Sequence, residues 1–391
     1  MKALPKRILS IDILRAITML LMIFVNDVAG VAQIPKWIEH TPADVDGMGF
    51  SDLIFPAFLF IVGLSLPFAI QARLKKGDSN KALISYILLR ALVLIVMGFF
   101  HVNLESYNSE LALLSYPVYV ILLTAGFFLI WLDYPEKIGK TIKSALMALG
   151  ILTVAAMAYL YKGGTAAAPK GMEPQWWGIL GIIGWAYLFS ALVYFFTKGK
   201  LTTLITAFIA FALINIANHT QLVHVDLWMV GDASSITLML GGAVISTLYS
   251  VLVAKEKDKN LWLILTLSGA LAVVFGLLIR PYTGGISKIY STPAWVWICM
   301  GISILMFQLL VYLIDVKDKK NWFSLIKPAG TSTLTCYLIP YVLYAVFNLI
   351  DFNYPHYFNY GIGGIIRSLF IAFLVIRLVA FMEKKSIRLK I

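Results

Sequence analysis

Apolar runs of about 20 residues alternate with short polar segments along the whole chain. Twelve can be drawn, at roughly 9–30, 52–72, 82–102, 112–132, 142–161, 176–197, 201–218, 235–254, 261–280, 294–314, 331–350 and 362–382. Each is about the length a helix needs to cross a hydrocarbon core of ~30 Å. The pattern predicts an all-α, polytopic membrane helix bundle of 10–12 transmembrane helices, built as one domain over 1–391. The sixth and seventh runs are joined only by "TKGK", so one of that pair could be re-entrant or tilted instead of spanning. No internal repeat and no Ser/Gly-rich linker divides the chain.

Composition supports this picture. The 391 residues are 60% hydrophobic and 13% charged, with a mean hydropathy of +0.85. Soluble domains carry about twice that share of charge. The start, "MKALPKRILSIDILRAITMLLMIFVNDVAG", has the basic head and apolar centre of a signal peptide. It lacks a small-residue cleavage site, and Asp12 and Arg15 interrupt it, so it reads as a retained first helix.

The net charge of +12 invites a nucleic-acid partner until its positions are read. With the N-terminus inside, the outer segments hold only Lys36, Lys162, Lys170, Arg280 and Lys288. Apart from Arg15, Arg90, Arg367 and Arg377 within or at the rims of runs, every other Lys and Arg falls in the alternate segments. That is the positive-inside bias, with both termini cytoplasmic and lipid headgroups as the nearest anions. Cys299 and Cys336 both lie in apolar runs, which suggests neither a disulfide framework nor a zinc site; no metal is expected.

By the same topology all five histidines, His40, His101, His219, His224 and His356, fall at outer helix ends or in outer loops. Titratable chemistry, if present, belongs to that face. In "WIEHTPADVDGMGFSDLIFPAFLFIVG" (Trp37–Gly63) a polar cluster of His40, Asp44, Asp46 and Asp52 abuts an apolar run. Asp52 opens that run, where a carboxylate stabilises the free N–H groups of a helix start and could orient a nearby imidazole. Asn26 and Asp27 close the first run, either as helix terminators or as part of an outer site. In the inner halves, Arg15 lies one helical turn after Asp12 and can pair with it. Arg15, Arg90 and Arg377 either snorkel to headgroups or line a cavity for a phosphorylated ligand. Trp176, Trp177, Trp228, Trp295 and Trp297 gather at outer boundaries, as an interfacial belt or as surfaces for sugar.

These residues resemble the heparan-α-glucosaminide N-acetyltransferase family of transmembrane acyltransferases. The similarity is carried by "RILSIDILRAITMLLMIFVNDVAG", a histidine in the next loop, and "SDLIFPAFLFIVGLSL" followed by Arg73. The family's D-L-[IV]-F-P-x-F-x-F-I-x-G element is matched by Asp52, Leu53, Ile54, Phe55, Pro56, Phe58, Phe60, Ile61 and Gly63. "SKIYSTPAWVW" (Ser287–Trp297) and "AGTSTLTCYLIPYVL" (Ala329–Leu343) are similar to later family segments. The chain departs from the pattern at Arg15-Ala16, where the family has Arg-Gly, and in the Asp27-Val28-Ala29-Gly30 stretch.

The resemblance implies acetyl transfer from cytosolic acetyl-CoA to the amine of a glucosamine or terminal glucosaminide across the membrane, in a homodimer. It implies an inner-membrane location in a bacterium, with the active-site histidine on the periplasmic side. His40 corresponds to that histidine, Asn26 to the active-site asparagine, and Asp12 and Arg15 to the pattern opening the first core helix. Beside it stands what the residue chemistry suggests. His40 is placed as general base, or as a transient acetyl carrier. A ternary complex is the preferred route, because an acyl-imidazole at an aqueous rim would hydrolyse. Asn26 is placed to stabilise the oxyanion, Asp52 to hold the imidazole tautomer, and Arg15, Asp12, Arg90 and Arg377 to receive the acyl donor. Asp27, Asp44, Asp46, Trp295 and Trp297 are expected around the acceptor. Two other functions fit the outline: O-acetylation of a surface glycan, and a twelve-helix sugar transporter.

Overall fold

The structure is a computed structural model and describes residues 8–220, 228–254 and 258–391. His224 and several basic residues of the charge pattern (Lys2, Lys6, Arg7, Lys255 and Lys257) lie outside the described residues.

Every one of the twelve expected runs contains a helix. In chain order they are α1 (Leu9–Val28), α2 (Ser51–Lys75), α3 (Asn80–Asn103), α4 (Tyr116–Trp131), α5 (Lys140–Leu160), α6 (Gly178–Phe196), α7 (Leu201–His219), α8 (Ser234–Ala254), α9 (Asp258–Ile279), α10 (Pro293–Leu310), a short α11 (Lys327–Thr331), α12 (Thr333–Leu349) and α13 (Gly361–Lys384). Among the described residues, ten are long and apolar enough to cross a bilayer; α4 and α12 are shorter apolar helices. The "TKGK" pair resolves into α6 and α7, two helices of 19 residues each. A bundle of this kind is an integral membrane protein. The strands described are β1 (Gly163–Thr165) and β2 (Ala168–Lys170), a small antiparallel hairpin between α5 and α6.

Burial sorts the helices. More than half of the apolar stretch of α1, α2, α8 and α10 is buried inside the protein, whereas α5, α7 and α9 keep most of theirs outward. Leu149, Ile151 and Leu152 on α5, and Leu263, Leu271 and Leu278 on α9, are exposed, as side chains solvated by lipid should be. The inner helices touch backbone to backbone. A Cβ on Gly63 of α2 would fall 1.9 Å from the Met239 carbonyl of α8, and one on Gly242 would fall 2.0 Å from that of Phe60. Small residues permit this approach where lipid offers no hydrophobic drive to associate.

Local chemistry sets the ends of the site-bearing helices. The first amides of α1 lack a side-chain cap of their own. Asp315, in the π-turn that continues α10, supplies one, accepting from Leu9 N at 3.1 Å and Ser10 N at 3.4 Å. At the other end of α1, Asp27 accepts from Arg367 of α13 at 2.8 Å and also bonds Ser368 and Tyr344. The loop after α1 is stitched beside the start of α13, with Ala32 N donating to Asn359 O (3.0 Å) and Gly361 N to Ala32 O (2.9 Å).

Candidate active site

Asp52 is the second residue of α2 and its side chain is 2% exposed. A carboxylate so placed is held by amides at the helix start. Oδ2 accepts from Gly49 N and Thr41 N, both at 3.0 Å. Oδ1 lies 2.7 Å from His40 Nδ1, and the indole of Trp295 donates to the Asp52 carbonyl at 3.1 Å. A fixed, ionised acceptor at that distance selects the tautomer protonated on Nδ1. The basic nitrogen is then Nε2, which no protein group bonds among the described residues. His40 itself is half-exposed, so the free edge is reachable from solvent.

A lysine completes the dyad. Lys288, from the loop between α9 and α10, places Nζ 3.1 Å from His40 Nδ1 and 3.9 Å from Asp52 Oδ1. With Nδ1 donating to Asp52, the ammonium turns its protons toward the carboxylate. Burial pushes the Lys288 ammonium below the usual lysine range, while Asp52 opposes the shift. The cation is brought there by Asp46. Its carboxylate accepts from Arg280 Nε (2.9 and 3.0 Å) and from Ile286 N (2.6 Å), while Gly47 N donates to Ile286 O at 3.0 Å. The Ile286 amide, aided by the Arg280 guanidinium against a smaller opposing effect of burial, holds the Asp46 carboxyl below the usual range. A Cβ on Gly285, at φ +80°, would fall 2.7 Å from the Asp46 carboxyl carbon, so the loop must be glycine there to close on it.

The other end of α1 and α2 opens into a cavity of about 600 Å³. Asp12, Arg15, Ser65, Arg90, Tyr187 and Lys390 supply much of its polar lining. Arg15 donates to Asp12 Oδ1 and Gly330 O, each at 3.2 Å, and to Ser65 Oγ. Arg90 donates to Tyr86 at 2.9 Å and stands over the Tyr187 ring at 5.3 Å, its buried Nε without a hydrogen-bond partner among the described residues. The lining climbs as far as Met22 of α1 and Phe58 of α2. At 1.5 Å per residue, that is about 6 Å short of Asn26 and about 9 Å short of Asp52.

The remaining expected residues separate. Asn26 is exposed in the last turn of α1, at the dyad end. Asp44 is exposed in the same loop as His40. Asp27 is buried and committed to Arg367, Ser368 and Tyr344, a tie between helices. Asp46 grips a loop. Trp295 is 2% exposed with its indole nitrogen engaged by Asp52, and Trp297 packs edge-on to Phe208 and Phe275. Both tryptophans thus sit among protein side chains instead of offering a surface to sugar. Arg377 lies apart from Arg15 and Arg90, in a second, smaller depression with Pro328, Glu383 and Lys384. Lys288 and Arg280 were visible in the sequence only as cations on the side where cations are scarce, and that scarcity was the available signal.

A family model described as a domain of unknown function (DUF5009) matches residues 7–222. Heparan-alpha-glucosaminide N-acetyltransferase of Homo sapiens is 36% identical over 103 residues, and the protein of that name in Mus musculus is 32% identical over 97. These matches take in 26% and 25% of this chain but only 15% and 14% of those proteins.

Proposed function

Because the chain belongs to the DUF5009 family, whose model spans more than half of it, and shares a stretch with two N-acetyltransferases, we propose that it is a transmembrane acetyltransferase. It moves the acetyl group of cytosolic acetyl-CoA to the amine of glucosamine or a terminal glucosaminide on the far side. One observation carries this reading. The same two helices hold an imidazole–carboxylate dyad at one end and an arginine-lined cavity at the other.

In this mechanism the phosphorylated donor lies in the cavity against Arg15 and Arg90, its thioester directed at the turn between Met22 and Asn26. Nε2 of His40 takes a proton from the attacking amine, and Asp52 stabilises the imidazolium so formed. The amine nitrogen bonds the acetyl carbon, the carbonyl oxygen gathers charge, and the side-chain amide of Asn26 donates to it. Collapse breaks the carbon–sulfur bond and releases coenzyme A as thiolate, which takes up a proton from His40. Asp44, exposed and acidic, attracts a cationic sugar to the rim.

The O-acetyltransferase reading also has an observation in its favour. The Lys288 ammonium beside the dyad disfavours a protonated amine and leaves a hydroxyl acceptor unaffected. Purified protein in detergent, given labelled acetyl-CoA and either glucosamine or N-acetylglucosamine, separates the two. Label on the amine supports N-transfer, and label only on a hydroxyl replaces it. If no sugar is labelled and His40→Ala matches the parent, the enzyme reading fails. Sugar uptake into vesicles without acetyl-CoA would then favour transport.

A further inference from the structure

After α13 the chain reverses at Ser386, a residue at φ +59°, and runs back across the cavity as a strap. Asp133 N donates to Arg388 O at 2.8 Å, and Lys390 N to Trp131 O at 2.9 Å. Between them Leu389 N donates to Thr335 Oγ1 of α12 at 3.0 Å. Leu389, Lys390 and Ile391 form part of the cavity wall, and Leu389 is buried. One carboxylate grips the strap's side chains. Asp133 takes Arg388 Nε and Nη2 on Oδ2, at 3.0 and 2.9 Å, and Lys390 Nζ on Oδ1 at 3.0 Å. The remaining Arg388 nitrogen, Nη1, donates to Glu383 at 2.9 Å.

We propose that Arg388 and Lys390 are a phosphate-binding position at the cavity mouth, and that Asp133 competes with a ligand's phosphate for them, so that phosphate binding releases the strap. The argument rests on charge and exposure. Among the described residues that line the cavity, Arg15, Arg90 and Lys390 stand with a single acidic side chain, Asp12. The Lys390 partner Asp133 lies outside that lining, and the buried Arg90 Nε has no hydrogen-bond partner among the described residues. The lining therefore has capacity for a polyanion. Lys390 is 70% exposed and Arg388 37%, and ion pairs in such solvent contact are worth little and exchange readily. Burial pushes the Asp133 carboxyl up, but bonds from Lys390 and Arg388 outweigh it and hold it below the usual range. It is therefore a singly charged acceptor at neutral pH. A phosphate brings more charge and a third oxygen to the same guanidinium fork, and wins the exchange.

The proposal deepens the acetyl-CoA reading, since a nucleotide-bearing donor carries such phosphates, but it is tested without acetyl transfer. A cysteine placed at Leu389 (Leu389→Cys), with the parent as background for the buried Cys299 and Cys336, is titrated with a water-soluble maleimide. Pyrophosphate should speed its labelling about two- to fivefold, the scale of one exposed ion pair lost. Asp133→Asn should label fast without pyrophosphate and bind it more tightly. Lys390→Gln, at an exposed position that folding does not require, should label fast and bind it more weakly. Opposite shifts in affinity are the signature, because a strap with only a structural role moves both variants the same way.

A response in detergent assigns the phosphate to a soluble ligand. A response confined to phosphatidylglycerol vesicles assigns it to a lipid headgroup. Labelling indifferent to pyrophosphate, coenzyme A and lipid overturns the proposal, as do affinity shifts of the same sign. Coenzyme A that frees the strap while no amine is acetylated would keep the latch and remove the donor reading. Transfer with an indifferent strap would do the reverse.

Discussion

At the scale of single residues, the dyad makes demands that substitution can measure. His40→Ala should lower turnover by about 10²–10⁴-fold, the usual contribution of a positioned base, with folding unchanged because the side chain is half-exposed. Asp52→Asn should lose nearly as much, since an amide neither fixes the Nδ1 tautomer nor stabilises an imidazolium. The Asp46 clamp gives a pH prediction. Its folded-state carboxyl lies below the unfolded value of about 3.9. Its stabilisation is therefore complete above that value and is lost as pH falls through the folded one. Melting temperature in detergent should show no Asp46-dependent change from pH 5 to 8. Parent and Asp46→Asn should converge only in acid below about pH 4. The His40–Asp52 pairing was legible because a loop histidine and a helix-opening carboxylate stand 12 residues apart. Lys288 was not, for it comes from 248 residues away, and only folding of both loops onto Asp46 reveals it.

Between elements, the ties are few and specific. Arg367 and Asp27 join α13 to α1 with side chains 10% and 2% exposed. Removing one member leaves a buried charge alone, so Arg367→Met should cost about 3–5 kcal/mol, read as a lower melting temperature. Gly63→Ala should force α2 off α8 and cost about 1–3 kcal/mol. Gly139→Ala, where a Cβ meets nothing within 4 Å, is the matched control. That the chain is a bundle of long apolar helices, and roughly where they lie, was legible in the hydrophobic pattern, which depends only on the chain's own neighbours. Pairing was not. Nothing in an apolar run says that Gly63 lies against Met239, or that Asp27, read as a helix end near the acceptor, is consumed by a helix 340 residues on. Arg377 shows the same limit, sharing a composition with Arg15 and Arg90 but not their cavity.

For the molecule as a whole, loops after α1 and α9, together with the start of α13, gather at the dyad end, while the cavity occupies the other. Between them α1 and α2 leave a septum of one to two turns, packed with the buried Ile23, Phe24, Val25 and Ile54. That septum has an electrical meaning. An apolar layer without titratable groups is a poor conductor of protons, so under the proposed acetyl transfer the protein need not short-circuit the membrane potential. Vesicles carrying the purified protein should hold an imposed pH gradient as long as empty ones do. A gradient that collapses on reconstitution would mean that the septum is wet. With the gradient held, the proposed transfer makes the bundle a chemical relay set in an insulator, passing a group without passing current.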